Sequence, residues 1–296
     1  MIEIPEAFAR GTIDREGEPG AAWLASLPEI VAELLERWRC VPEDGAVTHG
    51  AVGLIIPVRH QEDQRAAGAA AAAAAAAVIK VSFPHPGNVA EPDAFEAWDG
   101  RGAVRIYERA DEHFAMLLER VHSSTLAELG DDDEIARVAG RINRRLAIPA
   151  PPGLPRLSDR AGEWDEALRR DRRELVGAVP PAAVDAALAT VRELGRDQPE
   201  VVVHGDLHAR NILRAEREPW LVVDPKGYVG DPAYDGATVL RVRALELLRE
   251  DGPSKPVARM LEIFAESAEL EFERVRRWAQ FRAVESAFWG RLHGLA

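Results

Sequence analysis

The chain has 296 residues and a formal net charge of −13, from 50 acidic and 37 basic side chains. This length can bury one large core or two smaller ones, and the acidity argues against non-specific nucleic-acid binding while suiting a cationic small substrate. The single cysteine, Cys40, excludes an internal disulfide, and the N-terminus lacks the basic start and apolar run of a signal peptide, so we expect a cytoplasmic protein.

The first part of the chain predicts a helix followed by strands. Residues 1–20 are polar with Gly and Pro, and we expect a loosely packed lead-in. Apolar residues at helical spacing predict a helix over Ala21–Cys40. Val47–Val58 reads as two strands around a glycine turn that contains Gly50 and Gly53.

A run of nine alanines, Ala69–Ala77, follows a polar stretch and lies between two predicted strands. We interpret it as a low-complexity insertion and assign it no function. Alanine is too weakly apolar for this run to span a membrane, so we expect no membrane association.

A lysine interrupts the next apolar strand, Val78–Val81. Because lysine is depleted in strands, Lys80 either meets an anionic partner or faces solvent from an edge strand. A helix over Glu91–Trp98 carries Glu91 and Glu96 as candidate partners. Two more strands are predicted over Ala103–Tyr107 and Phe114–Glu119.

The second part of the chain is mostly helical in its apolar spacing. Helices are predicted over Asp131–Leu146, Trp164–Val176, Ala182–Leu194, Gly236–Glu250, Val257–Ala268 and Phe272–Leu295. The broad apolar face of the last helix indicates core packing.

The most informative stretch is Val201–Asp235. Three valines predict a buried strand, and the polar cluster HGDLHARN follows at once. Ile212–Leu213 and Trp220–Val223 predict a hairpin, and Asp224 comes where its second strand ends. The stretch therefore places several polar side chains at strand ends, on a rigid support.

The spacing within this stretch has a chemical meaning. Asp206 and Asn211 are separated as in the kinase catalytic loop H-R-D-x-x-x-x-N, where the aspartate receives the proton of the attacking hydroxyl. In that chemistry the asparagine and a second aspartate, here Asp224, hold Mg²⁺, which prefers hard oxygen ligands. The pattern predicts phosphoryl transfer.

These residues resemble a known family. HGDLHARN followed by VVDPKGYVGDPAYD resembles the aminoglycoside phosphotransferase family of the kinase-like superfamily. The DPK triplet points to the branch of streptomycin 6-kinases and hydroxyurea phosphotransferases. A looser resemblance is visible at AVIKVSFP, EPDAFEAWDGRGAVR and RVRRWAQFRAVESAFW, so it reaches both halves of the chain.

The resemblance implies an α+β, two-lobed protein-kinase-like fold. Residues 1–119 would form a small lobe with a mainly antiparallel sheet and one helix, and residues 120–296 a larger helical lobe with the catalytic loop and the acceptor site. ATP and Mg²⁺ are the implied cofactors, and a small-molecule hydroxyl compound is the implied acceptor. The sequence does not indicate an oligomeric state.

The resemblance also implies roles for residues of the nucleotide site. Lys80 would hold the α- and β-phosphates, with Glu91 as its partner and Glu96 as the fallback. The turn with Gly50 and Gly53 would cover the phosphates, an interpretation that competes with an ordinary turn. The backbone near the hinge would bind adenine, which brings in Glu119 and Val121.

Roles in the second lobe follow in the same way. His204 and His208 would organise the catalytic loop, and Asp235 would cap the next helix. Asp231 either faces the acceptor or shapes its turn. Acids of the helical lobe are candidate partners of a cationic acceptor, Glu285 among them, with Glu269, Glu271 and Glu273.

The leading hypothesis is ATP-dependent phosphorylation of a hydroxyl on a streptomycin-type aminoglycoside, at its 6-position; another small hydroxyl compound is the alternative acceptor. Two other classes remain open. The order His204-x-Asp206-x-His208 could be a metallohydrolase cluster, although asparagine is a poor ligand for transition metals. The chain could also be a nucleotide-binding module without catalytic activity.

Overall fold

A computed structural model describes residues 2–43, 47–60, 76–239 and 254–294. The chain divides into two compact units. The first unit comprises residues 1–100 and 104–121, and the second comprises residues 101–103 and 122–296. The boundary predicted after Glu119 lies two residues before Val121, where the first unit ends.

The first unit is a sheet with helices. Its elements are α1 (Glu6–Glu16), α2 (Glu18–Arg37), β1 (Cys40–Pro42), β2 (Thr48–His49), β3 (Gly53–His60), β4 (Ala76–Ser82), α3 (Glu91–Trp98), β5 (Ile106–Ala110) and β6 (Ala115–Glu119). The strand order is β1-β3-β4-β6-β5, β2 pairs with β3, and every pairing is antiparallel. Strand β4, which carries Lys80, is therefore central.

Helix α2 packs on this sheet. It buries Leu24, Leu27, Val31 and Leu34 in one cluster with apolar side chains of β3 and β4. These residues recur every three or four positions, which places them on one helical face. The alanine run lies outside the described residues except for its last two members, which begin β4.

The expectation of a loosely packed lead-in over residues 1–20 is wrong. Residues Glu6–Glu16 form helix α1, which Gly17 ends with a φ of 64°. Phe8 is 3% exposed and packs edge-on against Trp23, with ring centroids 6.0 Å apart. Phe8 and Thr12 are the buried residues of this helix, and two positions are too few to show a period in the sequence.

The second unit is mostly helical and carries two short strand pairs. Its elements are α4 (Asp132–Leu146), α5 (Ala161–Glu174), α6 (Pro181–Leu194), β7 (Val201–Val203), β8 (Ile212–Arg214), β9 (Trp220–Val222), β10 (Tyr228–Gly230), α7 (Gly236–Val239), α8 (Lys255–Ala268) and α9 (Phe272–Leu292). Strand β7 pairs with β10 and β8 with β9, both antiparallel. The predicted α+β class is confirmed.

Two helical contacts show how tightly this unit packs. A Cβ on Gly140 of α4 would lie 2.6 Å from the carbonyl oxygen of Phe264 in α8, so only glycine permits this approach. Helix α9 buries Trp278 and Phe281, whose rings meet those of Trp164 and Tyr234. The predicted core face of the last helix is therefore present.

Some predicted bounds shift for local reasons. The strand predicted at Ala103 starts at Ile106, because Gly102 accepts a hydrogen bond of 3.0 Å from Val222 N–H and joins the second unit. Most of the helix predicted to reach Glu250 lies outside the described residues. Among the helices that are described, none combines the length and the apolarity needed to cross a bilayer.

Candidate active site

The polar cluster after β7 forms a loop that is closed by glycine. Gly205 has a φ of 83°, in the left-handed region that favours glycine. A Cβ at this position would lie 2.8 Å from Cδ2 of Tyr228 and 2.9 Å from Cβ of Lys226. The turn between His204 and Asp206 therefore requires glycine for two reasons: its backbone angle, and the side chains that pack against it.

His204 is a structural member of this loop. It is fully buried, and its Nε2 donates to the carbonyl oxygen of Val223 at 2.9 Å while Nδ1 accepts from Asp206 N–H at 3.2 Å. Burial lowers the pKa of His204 to about 4, against the opposing pull of Asp206. The neutral ring with its proton on Nε2 satisfies both contacts, so His204 organises the loop and keeps no nitrogen for a metal.

Asp235 also organises the loop, which sequence reasoning missed. Its two carboxylate oxygens accept from His204 N–H at 2.9 Å and from Gly205 N–H at 2.8 Å. Burial raises the pKa of Asp235 to about 7, although both hydrogen bonds favour the charged form. The helix-capping prediction used only local sequence, whereas these partners lie about thirty residues earlier in the chain.

Asn211 ties the loop to the hairpin. Its Nδ2 donates to the carbonyl oxygen of Asp206 at 3.1 Å, and its own carbonyl accepts from Val223 N–H at 2.9 Å. Since the amide nitrogen is committed to Asp206, its side-chain oxygen is the group left for a ligand. The side chains of Asp206, Asn211 and Asp224 are thus attached to one hydrogen-bonded framework.

Asp224 lies two residues after the end of β9 and has a φ of 56°. Few non-glycine residues adopt this left-handed region, although aspartate tolerates it better than most, and such residues cluster at functional sites. A carboxylate at Asp224 and an amide oxygen at Asn211 are the hard donors that Mg²⁺ prefers. The residues present therefore fit a magnesium site.

His208 lies beside the predicted base. Its Nε2 is 3.7 Å from Oδ2 of Asp206, and the two side chains are 15% and 25% exposed. The backbone N–H of His208 also donates to the Asp206 carbonyl at 2.9 Å. His208 thus borders Asp206, which is the more accessible of the two.

Asp231 lies in the turn and not on an accessible surface, which corrects the possible acceptor contact. It is 1% exposed, and its Oδ2 accepts from Nε of Arg274 at 2.5 Å and from Nε1 of Trp278 at 2.6 Å. Its Oδ1 accepts from Ala233 N–H at 3.0 Å. With these partners, Asp231 shapes the turn and anchors α9.

The other candidate acids of the helical lobe already have partners. Glu285 is 32% exposed and pairs with Arg282. Glu269 pairs with Arg144 and Glu273 with Arg276, while Glu271 accepts from the first N–H groups of α9. Glu285 is distinguished from the rest because its partner Arg282 interacts electrostatically with Asp206.

Arg282 is a charged neighbour that the sequence did not indicate. Its guanidinium lies 5.0 Å from the ring centroid of Tyr234. Burial would lower the pKa of Arg282, but Tyr234 and the carboxylates of Glu285 and Asp206 outweigh this effect and raise that pKa. The surroundings of Asp206 therefore hold a permanent positive charge as well as an acid.

The first unit pairs Lys80 with one of its two candidate partners. Nζ of Lys80 lies 2.5 Å from Oε1 of Glu91, and the side chains are 7% and 3% exposed. Glu96 instead contacts Arg109 at 3.1 Å and is half exposed. A lysine in the central strand is thus stabilised by a buried carboxylate, as its apolar neighbours require.

The glycine turn lies beside Lys80. Gly50 N–H donates to the carbonyl of Gly53 at 2.9 Å, which closes the turn between β2 and β3. A Cβ on Gly53 would lie 2.8 Å from Oγ of Ser82 and 3.4 Å from Cε of Lys80. The absence of a side chain at Gly53 leaves room for the stem of Lys80.

The two hinge candidates lie at the end of the first unit. Glu119 ends β6, and its Oε2 accepts from Arg105 N–H at 3.0 Å. Val121 is half-buried and is the last residue of the unit. Nothing in these positions assigns adenine binding to either side chain, so that role stays a prediction.

A metallohydrolase cluster is not supported. Both ring nitrogens of His204 are engaged with the backbone. In the described part of the chain, the group of acids and histidine close enough to share an ion is Glu33, Glu112 and His113, on the first unit. Those residues already pair with one another and with Arg37, on an exposed surface.

The sequence as a whole matches one family. A profile described as Aminoglycoside/hydroxyurea antibiotic resistance kinase covers residues 37–294. Streptomycin 6-kinase from Streptomyces griseus is 34% identical over 99% of this chain and 92% of its own length. The chain belongs to the aminoglycoside/hydroxyurea resistance kinase family. Another relative of this kinase, hydroxyurea phosphotransferase from Kitasatospora aureofaciens, is 32% identical over 98% of this chain and 80% of its own.

Solved structures with this fold are kinases too. Amicoumacin kinase hAmiN, solved in complex with AMP-PNP, Ca²⁺ and Ami, has a TM-score of 0.57 at 12% identity, over 91% of this chain and 86% of that one. Macrolide 2'-phosphotransferase MphH from Brachybacterium faecium has a TM-score of 0.52 at 17% identity, over 90% and 93%. These structures confirm the predicted kinase-like fold. The family match and the streptomycin 6-kinase relatives confirm the predicted class of enzyme, a phosphotransferase.

Proposed function

We propose that this kinase moves the γ-phosphoryl group of ATP to a hydroxyl of a streptomycin-type aminoglycoside, with Mg²⁺ as cofactor. The observation that carries the proposal is the framework of the second unit, in which Asn211 is hydrogen-bonded to Asp206 and to Val223, the residue before Asp224. The two streptomycin 6-kinases, at 34% identity over nearly the full chain, favour the acceptor.

Asp206 is the proposed base. The acceptor oxygen attacks the γ-phosphorus, the bond from that phosphorus to ADP breaks, and the hydroxyl proton passes to the Asp206 carboxylate. A hydroxyl is too weak an acid to ionise first at neutral pH, so a positioned carboxylate contributes to the rate. The partial exposure of Asp206, at 25%, lets an acceptor reach it.

Asn211 and Asp224 would hold the metal through their oxygens, and Lys80 would hold nucleotide phosphates. Bound Mg²⁺ supplies neutralisation of phosphate charge. Asn211 can present its oxygen because its amide nitrogen is bonded to Asp206. Lys80 is kept in place by Glu91, the arrangement a kinase uses to aim a lysine at the phosphates.

A cationic acceptor is part of the proposal. The net charge of −13 attracts cations, and Glu285 lies in the charged group that surrounds Asp206. An acceptor guanidinium could compete with Arg282 for the Glu285 carboxylate. A second candidate acceptor is hydroxyurea or a similar small hydroxyl compound, which the 32% identity to hydroxyurea phosphotransferase favours.

An acceptor panel tests the proposal. ADP release would be measured with streptomycin, with an aminoglycoside that lacks guanidinium groups, with hydroxyurea and with neutral alcohols, across a salt titration. We expect streptomycin to give the highest kcat/KM and to lose it as salt rises, because screening acts over about 8–10 Å near physiological ionic strength. Higher kcat/KM with hydroxyurea would assign the second candidate. ATP binding without ADP release for any acceptor would indicate a non-catalytic module.

A further inference from the structure

Lysine is rare in this chain and its positions are informative. Of 37 basic side chains only three are lysines, Lys80, Lys226 and Lys255, and the others are arginines. Lys80 is the buried partner of Glu91, and Lys255 is exposed at the start of α8. The remaining lysine, Lys226, follows Asp224 by two residues. Lys226 is therefore one of only three ammonium side chains in a chain that otherwise uses arginine.

Lys226 is built into the catalytic loop. Its backbone N–H donates to the carbonyl of His204 at 2.7 Å. Its Cβ lies 2.9 Å from the point where a side chain on Gly205 would begin. The stem of Lys226 therefore starts against the residue that precedes Asp206, and the missing side chain at Gly205 makes room for it.

The charge of Lys226 is not neutralised by a neighbouring acid. None of the ion pairs within residues 2–43, 47–60, 76–239 and 254–294 involves Lys226, and the residue is only half-buried. Elsewhere in the same unit, basic groups near the loop do pair with acids, as Arg274 does with Asp231 and Arg282 with Glu285. Lys226 thus brings a positive charge to the segment that carries Asp224, two residues earlier in the chain.

The difference between lysine and arginine explains the choice. Guanidinium presents a planar fork that matches a carboxylate in a bidentate pair. We expect an arginine at this position, two residues after Asp224, to form such a bidentate pair with a carboxylate of the site, in competition with the acceptor and the metal. An ammonium is a compact charge on a flexible stem, which serves a phosphoryl group without that competition.

We propose that Lys226 is a catalytic residue whose ammonium donates hydrogen bonds to an oxygen of the phosphoryl group in transit. The inference rests on the proposed function. In the transfer the bond from phosphorus to ADP breaks, the bond to the acceptor oxygen forms, and the proton goes to Asp206. Lys226 keeps its protons and stabilises the charge that spreads over the three equatorial oxygens of the transferring group.

Steady-state kinetics with streptomycin test this role. Lys226→Met removes the charge and keeps the length, so we expect kcat to fall about 10²–10³-fold, the effect of removing one transition-state donor. The KM for ATP and the affinity for MgADP should change by less than about threefold, because the contact forms in the transition state. A wild-type kcat in Lys226→Met would overturn the proposal.

Two further variants distinguish a loss of the catalytic ammonium from a loss of folding. Lys226→Arg keeps the charge, and we expect it to remain well below wild type because guanidinium engages the nearby carboxylates; full activity would overturn the argument for lysine. Lys255→Met is the matched control and should behave as wild type in kinetics. Thermal unfolding of Lys226→Met should coincide with that of wild type, and a loss of kcat explained by unfolding would count against the role.

The scarcity of lysine permits a direct test of position that needs no acceptor. An acyl-phosphate derivative of ATP acylates amines that lie beside its phosphates, and peptide mapping then has three lysines to distinguish. We expect acylation of Lys226, suppressed by MgATP, and none at Lys255. If the enzyme phosphorylates streptomycin and the probe acylates Lys80 but not Lys226, the proposed role of Lys226 is overturned and the proposed function stands. Absence of both acylation and transfer would refute the proposed function, and this inference with it.

Discussion

The two units hold their charged site residues in different ways. In the first, Lys80 is buried and its charge is balanced by the buried carboxylate of Glu91, 2.5 Å away. In the second, the side chains that support the loop, His204 and Asp235, are fully buried, while Asp206 keeps a quarter of its side-chain surface exposed. In the first unit, the proposed site residue Lys80 therefore also contributes to the stability of the fold. In the second unit, different residues support the loop and carry out the proposed chemistry.

The largest expected effect comes from substitution of Asp206, which should lower kcat and leave the free energy of unfolding nearly unchanged. Asp206→Asn keeps the shape and removes the basic oxygen, so kcat should fall about 10²–10⁴-fold. The free energy of unfolding should stay within about 0.5 kcal/mol of wild type, as for substitutions away from buried features. ADP-release kinetics and denaturant unfolding measure the two quantities. A large loss of stability with normal kcat would place Asp206 in the scaffold.

Lys80 should show the opposite behaviour. Lys80→Met leaves Glu91 buried without its partner, which should cost about 3–5 kcal/mol of stability and weaken MgADP binding. Adding Glu91→Leu should restore most of the stability, since apolar pairs replace buried ion pairs well, but not the nucleotide affinity. Urea unfolding and calorimetry on both variants check this. Equal nucleotide affinity in wild type and the double variant would make the pair purely structural.

Gly205 offers a test with a matched control. Gly205→Ala meets both an unfavourable φ of 83° and two side chains within 3 Å, whereas Gly177 has a φ of 81° and no atom within 4 Å of its missing Cβ. We expect Gly177→Ala to lose about 1 kcal/mol with normal kcat, and Gly205→Ala to lose about 1–3 kcal/mol with reduced kcat. Indistinguishable variants would show that packing at Gly205 has no role.

The buried scaffold should also give a pH signature. The pKa of His204 is lowered to about 4, so its contribution to stability is present above its ordinary pKa of 6.5 and is lost as the pH falls from 6.5 to 4. The pKa of Asp235 is raised to about 7 from 3.8, so its contribution is present below 3.8 and is lost as the pH rises through 7.

Urea unfolding of His204→Asn and Asp235→Asn between pH 4 and 7.5 checks these signs. The stability difference between wild type and His204→Asn should grow with pH over this window, by on the order of 3 kcal/mol. The difference between wild type and Asp235→Asn should shrink with pH. If both stability differences changed in the same direction with pH, burial would not set the pKa of one of the two groups.

The sequence indicated the residues that share the loop framework better than it indicated the residues that support this framework. The spacing of Asp206, Asn211 and Asp224 was visible because kinase chemistry needs those residue types close together on a strand framework. Asp235 was missed as a loop support because its partners, His204 and Gly205, lie thirty residues away, and a local capping rule cannot detect a long-range contact.

Asp231 and helix α1 show the same limit of local sequence patterns. The sequence left open whether Asp231 faces the acceptor or shapes its turn. Arg274 and Trp278 from the last helix bind it, and pairing across more than forty residues leaves no local pattern. Helix α1 was missed because it buries two residues only, Phe8 and Thr12. Patterns that repeat within a few residues were predictable, and contacts between distant elements were not.

One calorimetric comparison tests most directly whether Asp206 acts as the base and Asp224 holds the metal. MgADP binding would be measured for wild type, Asp206→Asn and Asp224→Asn across a Mg²⁺ titration. We expect wild-type binding of MgADP for Asp206→Asn at every Mg²⁺ concentration, and weakened binding for Asp224→Asn that more Mg²⁺ partly restores. Loss of MgADP binding in Asp206→Asn with normal binding in Asp224→Asn would contradict it.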